Sequence, residues 1–196
     1  MAMKRKITPA DLMPLADYAK VRASRRAAAV ARKKNRRLEV GPVATFHFED
    51  YDSMWLQVQE MLYIEKGGDA QIADELNAYN PLIPNGRELV ATVLFEIEDS
   101  ARRQALLARL GGIEETAFIR IDGDTIKGVS ETDVDRTSAE GKASAVQFIH
   151  FPFTPAQISK FRQPGAQVIV GFAHPAYGHM AVMPEPVHES LAGDFD

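Results

Sequence analysis

Residues 87–98 read RELVATVLFEIE, the most strand-like run of the chain, and it is apolar along both of its faces. Alternate side chains of a strand point to opposite sides, so Leu89, Ala91, Val93, Phe95 and Ile97 share one face and Val90, Thr92, Leu94 and Glu96 the other. Such a strand lies inside a sheet covered on both sides, and the other elements must supply that cover.

The flanking segments provide it. Thr8 is placed to cap a helix with Pro9 in its first turn, and residues 12–37 continue it with no glycine and an alanine run at Ala27, Ala28, Ala29 and Ala31. Residues 38–50, LEVGPVATFHFED, change to β-branched and aromatic residues around Gly41-Pro42, as two strands and a turn do. Asp52 or Ser53 is expected to cap a helix that ends at Gly67-Gly68, with Met54, Val58, Met61, Leu62 and Glu65 on one face. A second helix over 69–79, a third after Asp99, a hairpin about Asp122-Gly123-Asp124, strands over 145–151 and 167–173 with a short helix between, and a C-terminal segment over 186–191 complete the reading. Residues 130–142 are polar and aperiodic, the expected mobile loop, with Asp133 and Asp135 solvated. The expected fold class is α+β in a single domain. A long basic N-terminal helical segment over 1–37 precedes a body over 38–196 in which helices lie on a mixed sheet.

Charge divides at the same boundary. Residues 1–37 hold twelve Lys or Arg against Asp11 and Asp17, a net of +10, while the remainder carries −14. Such a dipole either points outward to a polyanion or folds back on its own acidic body. Arg22, Arg26, Lys33 and Arg37 recur at helical spacing as a basic stripe, and Arg36 extends the KKNRR run. A phosphate-binding arm has this form, but the acidic remainder and the lack of aromatics between Lys20 and Arg37 disfavour nucleic acid. Docking on an acidic surface, the chain's own or a partner's, fits better.

There is no cysteine, which excludes disulfides, thiolate metal sites and a cysteine nucleophile. No run approaches the roughly 20 apolar residues of a membrane span, and the basic start lacks a signal-peptide core, so a cytoplasmic protein is expected. P-loop, dinucleotide-binding and serine-hydrolase signatures are missing as well.

Histidine and carboxylate are then the only strong metal ligands. If the strands carrying His150 and His174 run parallel, both residues emerge at one carboxyl edge, where His179 of the HPAYGHM loop joins them. Glu60 and Glu65 on an apolar helix and Glu96 on an apolar strand are either catalytic or metal-binding groups, or are ion-paired with the N-terminal arginines. His47 reads as exposed.

Four blocks carry a resemblance: KKNRRLEVGP, FHFEDYDSMWLQVQEMLYIEK, ELNAYNPLIPNGRELVATVLFEIE and HPAY. Together they resemble an uncharacterised bacterial family, the domain of unknown function DUF3501, over nearly the whole chain. The resemblance implies a gene context beside rubrerythrin-like and iron–sulfur oxidoreductase proteins. It also draws attention to Gln57, Glu60, Glu65, Tyr79, Asn80, Glu96, His174 and Tyr177.

Two readings follow. The favoured one is a non-catalytic accessory protein of a redox system, a homo-oligomer or the partner of a redox protein, that docks through its basic helix. The alternative is a metal-binding enzyme or redox sensor with iron, manganese or zinc held by His174, Glu60 and Glu96 and completed by His150 or His179.

Overall fold

The computed structural model describes residues 4–131, 137–138 and 141–196, so Asp133 and Asp135 lie outside the described residues. The two strands expected over 38–50 form a hairpin, β1 (Arg37–Val40) and β2 (Ala44–Phe48). At its turn Gly41 has φ 71°, and a Cβ there would lie 2.6 Å from the His179 ring and 2.8 Å from the Tyr177 hydroxyl, so only glycine fits. β3 (Glu88–Phe95) is central as its two apolar faces require, in a five-stranded sheet ordered β1-β2-β3-β7-β6, where β6 is Val129–Ser130 and β7 is Val146–Pro152. A second sheet has the order β5-β4-β8-β9, from β4 (Ala117–Ile121), β5 (Asp124–Lys127), β8 (Val168–Phe172) and β9 (Met180–Val182).

All strand pairings among the described residues are antiparallel, so the α+β class holds but the expected mixed sheet is two antiparallel ones. The strands of His150 and His174 do not form a parallel crossover. β7 joins the first sheet and β8 the second, because the short helix between them, α5 (Pro155–Phe161), carries the chain from one layer to the other.

The two sheets face each other. One side of β1, β2, β3 and β7 presents Val40, Phe46, Phe48, Val93, Ile149 and Phe151, which form one buried cluster with Ile119, Val170 and Phe172 of the second sheet. Phe46 and Phe172 meet across the gap with ring centroids 5.1 Å apart. The other side of the first sheet is covered by helices: Val90 belongs to a second cluster with Met54, Val58, Leu62, Leu76 and Leu82. Those residues come from α2 (Tyr51–Glu65), α3 (Gly68–Tyr79) and the short turn that follows. The apolar spacing of α2 buries Met54, Val58 and Leu62, while Glu65 falls at the exposed end and accepts from Gln71. Its cap is Asp50 rather than Asp52 or Ser53: the Asp50 carboxylate accepts from the Ser53 amide at 2.8 Å and the Ser53 hydroxyl accepts from the Asp50 amide at 2.9 Å.

The N-terminal segment is interrupted where Pro14 stands. A 3-10 turn (Pro9–Asp11) precedes α1 (Leu15–Lys33), since proline has no amide to continue the ladder and suits only a helix start. Arg37, expected at the end of that helix, opens β1 instead. Asn80 pins the segment ahead of α1 to the body, its side chain accepting from the Ile7 amide at 2.7 Å and donating to the Ile7 carbonyl at 3.0 Å. Helices α4 (Ser100–Leu107), capped by Asp99, and α6 (Glu185–Ala192) complete the chain. No described helix is long and apolar enough to cross a membrane.

Candidate functional site

α1 lies over the helix-covered face of the first sheet and against α2. Tyr18 is its one buried residue, with its ring edge-on to Trp55 and Tyr63 at 6.1 and 5.8 Å and its hydroxyl donating to Glu60. Arg22 grips the same carboxylate with Nε and Nη2, both at 2.8 Å. The guanidinium holds the Glu60 carboxyl down at about 2, so the ion-pair alternative is the one realised for that residue.

The C-terminal half of α1 is tied down by a buried ionic cluster. Arg36 is almost fully enclosed; it donates to the Phe48 and Glu49 carbonyls, each at 3.0 Å, and forks onto Asp194 at 3.1 and 2.5 Å. Asp50 accepts from Arg32 at 2.7 Å and lies 3.0 Å from Arg36. Burial raises the Asp194 carboxyl, and Arg36 offsets only part of that rise. Arg36, expected to face a partner, is therefore structural.

Beside this cluster runs a cleft whose floor is the outer face of β2, β3 and β7. His47 and Glu49 alternate onto that face from β2 and its end, next to Thr92 of β3. Glu49 is buried, accepting from Ser53 at 2.6 Å and Thr92 at 2.7 Å, and burial raises its carboxyl. His47, expected to be exposed, is half-buried because α1 lies over it; burial lowers its imidazole, and Nε2 is enclosed without a hydrogen-bond partner. Gln57 and Tyr79 stand at the far end, 3.4 Å apart. His47, Glu49, Ser53, Thr92 and Asp194 were not among the expected site residues. The available signal was the alternation of Thr45, His47 and Glu49 into the acidic start of α2.

The five expected metal ligands do not converge. His150 contacts Glu88 at 3.1 Å and Glu131 at 3.6 Å; burial pulls its imidazole down, but the two carboxylates outweigh that and its pKa is raised. His174 lies 3.2 Å from the Gly111 carbonyl and accepts from the Ala176 amide. His179 packs its ring 4.5 Å from Tyr177, and Glu96 accepts from Thr45 at 2.8 Å. No three His, Asp or Glu side chains are placed to share a metal ion among the described residues. The reason is topological: antiparallel pairing sends β7 and β8 to different sheets, and Glu60 faces α1. Tyr177 serves the fold, donating to the Val40 carbonyl at 2.8 Å and accepting from the Val43 and Ala44 amides, both at 3.1 Å.

A family model described as protein of unknown function (DUF3501) matches residues 6–195. The chain belongs to this family. A DUF3501 fold is thus a helix layer on a two-sheet sandwich, and a solved structure matches it closely. That structure, a novel protein of unknown function from Burkholderia pseudomallei, is 39% identical with a TM-score of 0.90, over 97% of this chain and 100% of the other. No curated protein matches the chain.

Proposed function

We propose that this protein is a non-catalytic accessory protein that docks α1 on an acidic surface of a redox partner. The observation that carries this reading is the division of labour among the cations of α1 and its extension. Arg22, Arg32 and Arg36 are spent on Glu60, Asp50, Asp52 and Asp194. The side chains of Arg26, Lys34 and Arg37 are exposed and make no hydrogen bond or ion pair among the described residues. Val30 is exposed beside them at 63%. A helix already anchored by its paired arginines presents the remaining cations at little ordering cost, which suits recognition by charge complementarity. The redox character of the partner rests on the gene context that the family resemblance implies.

The test uses purified rubrerythrin from the same genome and the variant Arg26→Glu/Lys34→Glu/Arg37→Glu, with affinity measured by calorimetry at low and physiological salt. The expected result is binding that weakens with salt and falls roughly tenfold or more in the variant. Equal affinity in the two proteins would overturn the docking role of α1, and light scattering on both reports whether a second copy is the partner instead.

A further inference from the structure

α1 lies across the sheet with alanine where a packed helix would carry leucine. After Tyr18 it lines the cleft with the exposed Ala28 and the half-buried Ala29, flanked by Arg25, Arg32 and Lys33, and so fills little of the space beside it. Two cavities result, of 220 and 250 Å³, and both are lined by Lys33, His47 and Glu49. The first continues along Ala28, Ala29, Phe48, Trp55 and Leu56, and the second along Leu82, Leu94 and Phe148.

The shared stretch is built for negative charge. The exposed Lys33 side chain has no hydrogen-bond or ion-pair partner among the described residues, whereas Arg32 and Arg36 are neutralised by Asp50, Asp52 and Asp194. Glu49 is the carboxylate that lines both cavities with Lys33, but both of its oxygens are engaged by Ser53 and Thr92 and its burial favours the uncharged form. An enclosed imidazole nitrogen without a partner loses the hydrogen bond it had in water and regains it only from a ligand or an ordered water. An amine and an imidazole lining the same largely apolar cavities match the usual composition of a small-molecule site, a few polar groups in a largely apolar concavity.

We propose that this cleft binds a small organic anion, a carboxylate or phosphate ester on a flat apolar body, with its charged group between Lys33 and His47 Nε2 and its body in the cavity of Ala29, Phe48 and Leu56. The site is separate from the outward cations Arg26, Lys34 and Arg37, so it stands whether or not α1 docks a partner.

Trp55, the single tryptophan, lines that cavity and reports occupancy directly. The probe is 8-anilinonaphthalene-1-sulfonate, an aromatic anion, with the uncharged N-phenyl-1-naphthylamine as its comparison. The expected result is saturable binding of one equivalent with energy transfer from Trp55. Affinity should fall roughly tenfold or more in Lys33→Glu, which removes the cation, and in Ala29→Phe, which fills the cavity. The melting temperature of each variant shows that the fold is kept. Absence of a saturable site, equal affinity in Lys33→Glu, or equal binding of the uncharged probe would overturn the proposal.

Discussion

His150 and His47 stand on the same face of the first sheet and are driven in opposite directions by their neighbours. His150 sits between Glu88 and Glu131, which raise its imidazole despite burial; at His47 burial and the nearby cations Lys33 and Arg37 outweigh the opposing charge of Glu96 and lower it. A raised imidazole contributes stability that is complete below its unfolded value of about 6.5 and is lost as pH rises through the folded value. His47 acts in the contrary sense, so the comparison must be between wild type and a single variant. The stability difference between wild type and His150→Gln in urea unfolding should be largest near pH 5.5 and shrink toward pH 8.5. A difference that stays constant over that range would show that the two carboxylates do not hold the proton. Glu60 was legible as a partner for an N-terminal arginine because an acid on an apolar helix needs a cation. The fate of His47 was not, since nothing in strand alternation says which face α1 will cover.

At the level of elements, α1 is held by few contacts for its length. Of 19 residues only Tyr18 is buried, and its other attachments are ion pairs and the cation–π contacts of Arg22 with Tyr63 and Arg25 with Trp55. Truncating the ring at Tyr18→Ala removes its contacts with Trp55 and Tyr63 and its bond to Glu60 together. The expected outcome is a red shift of Trp55 emission and faster amide exchange along α1, with the strands of the sandwich still protected. Tyr18→Phe keeps the ring and loses only a hydrogen bond, a cost of about 1 kcal/mol, with emission unchanged. Unshifted emission in Tyr18→Ala would mean that the ion pairs alone seat the helix. Most of the helices and strands were readable from periodicity and caps, β3 most clearly. β9 was missed: its three residues Met180, Ala181 and Val182 are too short a run to show alternation and form a strand only because β8 offers an open edge.

For the whole molecule, the interior between the sheets draws on both of them, so it should lose stability as one unit. Phe172 belongs to the second sheet and contacts Phe46 and Phe95 of the first, with centroids 5.1 and 6.0 Å away. Phe172→Ala is expected to cost about 3–5 kcal/mol, lowering the urea midpoint with little change in slope. Loss of exchange protection confined to the second sheet would show instead that the layers unfold separately.

Local chemistry alone determined much of this protein. The α+β class, the central place of β3 and the segregation of positive charge into the first 37 residues follow from side-chain period and counting. Sheet partners, in contrast, are chosen by burial summed over residues far apart in sequence, and α5 could return the chain to either layer. Only the tertiary structure therefore decided that β7 and β8 part company, that Arg36 and Asp194 meet from opposite ends of the chain, and that the alanines of α1 roof a cleft over His47 and Glu49.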